Sequence, residues 1–492
     1  MIIKIKVLNF SRENNRFYYY NERKTMFKEY ISYTESNNQW LLRDQYAYLT
    51  PYLQQIKTPI DHTLINVKRE DRFKILAEFE VSNSGEVCRF ILKVYKYPSF
   101  FQQLRQLLKR TKAFREFRMT YLAGFNSVPV EVPVAFGEQK SLFIKESYLI
   151  IRKIEHSVTL NDYFRNNDCY AERRSVLREF GKLARTIHDS GVKQDDFSLN
   201  NFLMSEHDGH IKIILIDFER VSIQPESLQE KQSILYLAKL NRTKGLFCNT
   251  DRLRFLMSYT NGDYAYGKKL AKQIESMTIL LQKKDSKKFV RQCVCKNRKF
   301  GVFSDTKFQG WHRKAYSQET IKTLLAATDR MDNAGMQIDQ YQITRYAKMP
   351  PFHNAMDLWK HANALFALRI NLPVPVGMFK RISPGRARDE FFIFQLPDNW
   401  ESIDRYLTSN KNPDIVMRTI KVFIEEISPF GAVSQNLKAQ DIILQTDKHH
   451  RQKCFLKDCS LFFVNKKTFQ QNKSFNTKVF EQVLMGYDNQ LQ

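Results

Sequence analysis

From Leu64 onward apolar residues tend to fall at every second position. LINV, FKILAEFEV and VCRFILKVYK follow this pattern, and Asn83-Ser84-Gly85-Glu86 separates the last two. Alternation broken by a glycine-bearing turn predicts a β-meander. The period then lengthens. In LLKRTKAFREFRMTYL, Phe114, Phe117, Tyr121 and Leu122 stand at i, i+3, i+7 and i+8, the stripe of an amphipathic helix. VPVEVPVAFGE (128–138) reads as a proline-punctuated loop entering a strand, and YLIIRKI (148–154) as a buried strand running into a hinge. Residues 171–188 predict a second helix, with Val176, Phe180, Leu183 and Ile187 on one face and Gly191 as a cap beyond its end. Ahead of the meander, residues 1 to about 58 carry an alternating strand (Ile2 to Val7), an aromatic patch (Phe17 to Tyr20) and a helix near Met26 to Tyr33. This extension holds no recognisable chemistry, and its aromatics read as packing.

The stretch IHDSGVKQDDFSLNNFLMSEHDGHIKIILIDFER, residues 187–220, sets three polar side chains into apolar sequence. Asp196 and Asn201 lie in a loop leading to Phe202-Leu203-Met204. A turn with Asp208-Gly209 follows, then the run Ile213 to Ile216, which delivers Asp217. An Asp-Gly turn between apolar runs predicts a hairpin, with Asn201 at the start of one strand and Asp217 at the end of the other. Phosphoryl transfer needs these parts: one Asp to orient the attacking hydroxyl, and an Asn and a second Asp to hold Mg²⁺ on the phosphates of ATP. Mg²⁺ in turn requires hard oxygen ligands. Asp196 is therefore the candidate catalytic residue, and Asn201 and Asp217 the candidate metal ligands. Lys93, in the third strand of the meander, is placed to reach the α/β-phosphates, and Glu116, the one acid of the amphipathic helix, is its expected partner. No Gly-rich loop precedes Lys93, so phosphate cradling by backbone amides has little support.

The second half of the chain repeats the first weakly. FFIFQLPDNWESIDRYL echoes YLIIRKIEHSVTLNDYF, and FGAVSQNLKAQDIIL aligns with SGVKQDDFSLNNFLM without gaps. CFLKDCSLF follows as IILIDFERV does. In this copy Asn436 replaces Asp196, Asp441 replaces Asn201, and Asp458 corresponds to Asp217. Thr344 or Arg345 stands where Lys93 would be, and helix 355–369 has no Glu. The base, the lysine and its partner are lost together, the mark of a degenerate copy.

With 492 residues, two or three domains are expected. The division read here is an extension (1–58), a catalytic domain (59–270), a linker helix region (271–300), a degenerate domain (301–470) and a tail (471–492). A formal charge of +26 asks for an anionic partner. Nucleic acid would rest on charge alone, without a recognised motif, and is not expected. Seven cysteines without a C-x-x-C pair read as free thiols, and the scattered histidines give no zinc spacing. No apolar run reaches about 18 residues and the start lacks a signal-peptide pattern, so the chain is expected to stay in the compartment where it is made.

ILKVYK, AFREF, GVKQDDFSLNNFL, LIDFER, ILYLAKL and TDRLRFLMSY together resemble the lipopolysaccharide core kinases, the Kdo/heptose kinase family of Gram-negative bacteria. The resemblance covers residues ~64–262. It implies an α+β, protein-kinase-like bilobal fold, here duplicated. It implies an ATP- and Mg²⁺-dependent transfer to a sugar hydroxyl (Kdo or heptose) of the inner core, at the cytoplasmic face of the inner membrane, as a peripheral protein. Lipid-linked core oligosaccharide and an anionic leaflet are the implied partners, with the basic segment Arg105 to Arg118 (Lys109, Arg110, Lys112, Arg115) as the candidate contact. By the same resemblance Asp196 is catalytic, Asn201 and Asp217 bind metal, Lys93 binds phosphates and Glu116 orients Lys93. The family's His before the catalytic Asp is Gln194 here; Gln can still hydrogen-bond a backbone group but cannot be charged. The alternatives are a protein kinase of the same fold and a non-catalytic scaffold. The intact set of five residues argues against a scaffold.

Overall fold

A computed structural model describes residues 27–35, 38–56, 65–108, 110–139, 143–167, 169–243, 246–331, 335–346, 352, 354–382, 389–409, 412–446 and 452–491. The strand and aromatic patch expected at residues 2–7 and 17–20 lie outside them. The chain divides into two compact units, residues 1–277 and 278–492, both mixed helix and strand.

The first unit is built on a sheet of seven strands: β1 (Tyr30–Glu35), β2 (Asn38–Arg43), β3 (Asn66–Glu70), β4 (Lys74–Asn83), β5 (Glu86–Lys96), β6 (Pro133–Gln139) and β7 (Glu146–Arg152). Their order is β1-β2-β6-β7-β5-β4-β3, and every pairing is antiparallel. Asn83 opposes Glu86 across a turn in which Ser84 and Gly85 both take positive φ. That is the conformation such two-residue hairpins favour. Both faces of the sheet are buried, which is why VYKY does not alternate. Leu92 and Val94 join a core with Trp40, Leu42, Tyr46, Ala77 and Phe79. Tyr95 points the other way, into a core with Leu41, Phe114, Phe117, Phe136 and Leu149. The second face is covered by helix α2 (Lys112–Phe125), which follows α1 (Phe100–Leu108). The fully buried Phe117 alone contributes about 1.5–3 kcal/mol of apolar transfer.

Two expectations change here. Of the helix expected near Met26 to Tyr33, the described residues 27–33 form none; strand β1 begins at Tyr30. Its Tyr, Ile and Thr residues suit a pleated surface, and pairing along β2 satisfies its backbone. Nor are the described residues before position 58 a separate extension. β1 and β2 are the edge of the sheet, and Tyr46, Leu49 and Leu53 close one of its cores.

Below the sheet the chain turns helical. The elements are β8 (Ser157–Thr159), α3 (Leu160–Asn166), α4 (Tyr170–Asp189), β9 (Val192–Gln194), β10 (Phe202–His207), β11 (His210–Leu215), β12 (Val221–Ile223), α5 (Glu230–Asn241), α6 (Asn249–Tyr259) and α7 (Tyr264–Gln292). Phe180 of α4 packs against Phe202 and Phe255. Arg173 of α4 forms a buried ion pair with Asp251 of α6 at 3.1 Å. It also donates to the carbonyls of Phe164, Asn167 and Leu246, the added bonds a buried cation requires.

The second unit has a six-stranded sheet in the order β13-β14-β17-β18-β16-β15, again antiparallel. The strands are β13 (Phe300–Ser304), β14 (Phe308–Arg313), β15 (Gly335–Ile338), β16 (Tyr341–Arg345), β17 (Val374–Arg381) and β18 (Glu390–Gln395). Its helices are α8 (Gln318–Ala327), α9 (Ala355–Leu368), α10 (Ile403–Thr408), α11 (Pro413–Ile427) and α12 (Phe469–Leu491). Its short strands are β19 (Trp400–Ser402), β20 (Gly431–Val433), β21 (Ile442–Thr446), β22 (Gln452–Leu456) and β23 (Phe462–Val464). Residues read as a tail are helical, and α12 buries Val479 and Phe480 in the core. Among the described residues no helix is long and apolar enough to cross a membrane.

Candidate active site

The site of the first unit starts from strand β5. Lys93 pairs in register with Leu76 on one side and Leu149 on the other, which turns its side chain to the face covered by α2. Thr111 caps α2, its hydroxyl accepting from the Phe114 amide at 3.3 Å. With Phe114 and Phe117 packed on the sheet, Glu116 faces β5 and is fully buried. The Lys93 Nζ donates to its Oε1 at 2.6 Å. The Tyr95 hydroxyl donates to the other carboxylate oxygen of Glu116.

A second acid meets the same ammonium. Glu131 is buried and accepts from Lys93 at 3.5 Å. Its loop is fastened to the strand that leads to Asp217, because Pro129 accepts from the Leu215 amide at 2.9 Å. Burial would strip charge from Lys93, but Glu116 and Glu131 outweigh it and hold the ammonium above the ordinary lysine range. Burial drives Glu131 upward, Lys93 opposes the shift, and Glu116 and Asp217 add to it. One firm ion pair therefore stands beside an acid that takes up a proton more readily.

The loop that carries Asp196 is shaped by Gly191. It follows α4 with φ of +69°, and a Cβ there would meet the Gln224 and Glu226 carbonyls at 2.3 and 2.4 Å. Only glycine fits that turn. Gln194 is buried, and its Nε2 donates to the carbonyls of Ile216 and Asp217, both at 3.4 Å. It thus ties the loop to the end of the strand that leads to Asp217 through a neutral donor. Asp196 is exposed, and Asn201 donates from Nδ2 to its main-chain carbonyl at 2.6 Å.

The hairpin forms in the expected register, Phe202 opposite Leu215, with Asp208 and Gly209 at positive φ in the turn. The Ile216 amide donates to the Asn201 carbonyl at 2.9 Å, which sets Asn201 next to Asp217. Asp217 takes a left-handed conformation (φ 62°, ψ 80°), and its side chain accepts from the Glu219 amide at 3.4 Å. Glu219 receives Lys112 at 3.0 Å and Lys74 at 3.5 Å, tying this turn to α2 and β4. Burial would raise the Glu219 pKa, but the two lysines hold it below the ordinary range.

These residues fit Mg²⁺. The Asn201 amide nitrogen is spent on the loop, which leaves its side-chain oxygen to serve as a ligand, and the Asn201 carbonyl holds the amide of the residue before Asp217. Two protein oxygens suit an ion that retains water and takes its remaining ligands from phosphate. The structure thus brings Lys93 to Glu116 and Asn201 to Asp217, with Asp196 bound to Asn201 through its backbone. Sequence reading missed Glu131, Tyr95 and Glu219. Glu131 was visible as a lone acid in VPVEVPV, and Tyr95 follows Lys93 at the two-residue period of the same face.

A paired strand-and-helix lysine and glutamate, in one unit with a loop and hairpin carrying Asp, Asn and Asp, is the residue set that phosphoryl transfer uses. Residues 95–259 match the lipopolysaccharide kinase (Kdo/WaaP) family. The match opens two residues after Lys93. The 3-deoxy-D-manno-octulosonic acid kinase of Mannheimia succiniciproducens is 26% identical over 163 residues, 31% of this chain and 65% of that protein. That of Haemophilus influenzae is 25% identical over 142 residues, 28% of this chain and 55% of that protein. The chain thus spans roughly three-fifths of the length of these relatives. A solved structure of WaaP in complex with acyl carrier protein covers 48% of this chain and 98% of its own, at 16% identity and a TM-score of 0.35.

His188 offers a test of how the loop is supported. It is buried against Phe197 and Tyr236, and its Nδ1 meets the Tyr259 hydroxyl at 2.8 Å. Burial, with Arg185 nearby, pushes its pKa down from 6.5 to about 3. Above pH 6.5 the folded and unfolded chains both hold it neutral; as pH falls below 6.5 only the unfolded chain takes the proton, so stability is lost down to about pH 3. Replacing His188 with Gln should therefore remove about 2 kcal/mol of the stability lost between pH 7 and pH 5 in urea unfolding. Parallel pH profiles for the two proteins would contradict this.

Proposed function

We propose that the first unit is an ATP- and Mg²⁺-dependent kinase that phosphorylates a sugar hydroxyl, Kdo or heptose, of the lipopolysaccharide inner core. The observation that carries this reading is the closed Lys93–Glu116 pair, in the same unit as Asp196, Asn201 and Asp217. Asp196, exposed at the loop, accepts the proton of the acceptor hydroxyl. Lys93, oriented by Glu116, steadies the α/β-phosphates of ATP. Asn201 and Asp217 supply oxygens to Mg²⁺, which when bound would offset charge on the phosphates. The family match over residues 95–259 and the names of the relatives support the acceptor class.

The second unit reads as a degenerate copy without transfer activity. Apart from β3, the two sheets follow one path. The Lys457 amide donates to the Asp441 carbonyl at 2.8 Å, as Ile216 does to Asn201, and Asp458 accepts from the Ser460 amide as Asp217 does from Glu219. If FFIF (391–394) matches YLII (148–151), the pairing of Thr344 with Phe392 puts Thr344, rather than Arg345, at the Lys93 position. Labelled phosphate from γ-labelled ATP should reach lipid-linked core oligosaccharide with the native chain, and fall by about 10²–10⁴-fold in Asp196→Ala. Replacing Asp458 with Ala should leave the native rate unchanged. Full activity in Asp196→Ala, or residual transfer abolished by adding Asp458→Ala, would overturn this reading.

Attachment at the inner face of the inner membrane has support in α1 and its surroundings. Phe101 is 81% and Phe100 58% exposed, and Leu104 and Arg105 are exposed beside them. Of the basic segment named as the contact, Arg105 and Arg115 are exposed, Lys112 is engaged by Glu219, and Lys109 lies outside the described residues. Exposed aromatics beside cations suit an anionic lipid interface. The full chain should float with phosphatidylglycerol vesicles but not phosphatidylcholine vesicles, and Phe100→Ser with Phe101→Ser should weaken binding by about tenfold or more. Equal binding to both vesicles would rule out this attachment.

A further inference from the structure

Asp196 does not stand alone at the mouth of its loop. Asp195 precedes it, and both are exposed. An acceptor with its own negative charge would meet two like charges at the base, and like charges at short range repel. Between Asp196 and Asn201 the loop offers no cation to offset them: the positions are Phe197, Ser198, Leu199 and Asn200. Lys93 is held by Glu116 and Glu131.

A cation reaches this end of the loop from a different element. Lys239, near the end of α5, donates from Nζ to the main-chain carbonyl of Asp195 at 2.8 Å. Its ammonium lies 4.8 Å from the ring centroid of Tyr236, and the charges of both Asp195 and Asp196 are felt there. The bond goes to a carbonyl rather than to either carboxylate, and an ammonium has three donors. Half-burial costs this group hydration, a cost that a latch made only to fasten the loop would avoid by using a neutral donor. Arg242, three residues further along the chain, adds positive potential.

We propose that Lys239 anchors the carboxylate of an acidic acceptor sugar by a charge-assisted hydrogen bond, holding the hydroxyl to be phosphorylated beside Asp196. The inference rests on the kinase reading above and names the residue that selects its acceptor. Asn201 and Asp217 occupy the phosphate end of the site; Lys239 is bonded to the residue on the other side of Asp196 and serves the acceptor. In the transfer, the acceptor oxygen forms a bond to the γ-phosphorus of ATP. The bond from that phosphorus to the bridging oxygen breaks with its electron pair, releasing ADP, and the hydroxyl proton passes to Asp196. Lys239 neither gains nor loses a proton.

The test uses the full chain with two probes: a lipid A precursor bearing 3-deoxy-D-manno-octulosonic acid, and the same acceptor with that carboxyl methyl-esterified. The native protein should prefer the acid by about tenfold to a hundredfold in kcat/KM, the range of one hydrogen bond to a charged group. Lys239→Met should lose that preference through a higher KM for the acid, with a smaller loss for the ester, which shares only the loop bond, and ATP·Mg²⁺ affinity unchanged. Lys239→Arg should restore most of it. An acid preference that persists in Lys239→Met overturns the proposal. So does an equal loss for acid and ester, which would make Lys239 a structural support of the loop. Native protein that binds ATP·Mg²⁺ but modifies neither probe would overturn both the acceptor class and this role; native protein that does not bind ATP·Mg²⁺ would overturn the kinase reading itself.

Discussion

A buried ammonium organises the first unit. Lys93 lies 8% exposed between two apolar strands, and a charge left unpaired there would cost several kcal/mol. Glu116 answers it at 2.6 Å, and this fixes the rotation of α2 on the sheet. The same rotation presents Phe114 and Phe117 to the apolar face, so packing and pairing demand one orientation. Lys112, on the first turn of that helix, reaches Glu219, two residues beyond Asp217. Lys93 and Asp217 are thus positioned by one helix.

In the second unit the Lys93–Glu116 pair has no counterpart, since Thr344 pairs with Phe392 on the strand and α9 carries no glutamate. Its sheet and hairpin do not need one, since its core is apolar: Trp359, Phe392 and Phe423 are buried there. A buried ion pair contributes little net stability over well-packed apolar residues, while losing one partner alone is costly. Loss of both together therefore leaves a fold intact and, on the proposed kinase reading, removes phosphate binding. The proposed degenerate copy has this pattern, with Thr344 on the strand and no glutamate in α9.

Much of the first unit was legible because its signals are local. The strand period, the Ser-Gly and Asp-Gly turns and the spacing from Asp196 to Asn201 each depend on a few consecutive residues. Glu116 could be matched to Lys93 because it was the only acid in its helix. Glu131 escaped because nothing local says that a loop residue will be pinned to β11 by the Pro129 carbonyl. Tyr30–Glu35 was misread for a related reason. Met, Lys and Glu nearby favour helix, but pairing with β2 and burial against α2, through the contact of Tyr30 with Phe117, decide the outcome. Lys239 was likewise unmarked, since its significance lies in a contact with a loop more than forty residues earlier.

The most direct test of the account is a double-mutant cycle on ATP·Mg²⁺ affinity, measured by calorimetry for the native chain, Lys93→Met, Glu116→Gln and the double variant. If Glu116 acts by holding Lys93 in place for the phosphates, each single change should weaken binding by about tenfold or more. The double variant should then be no weaker than Lys93→Met alone, a coupling of about 1.5 kcal/mol. Additive losses, or native affinity in Lys93→Met, would contradict the claim that this buried pair builds the nucleotide site.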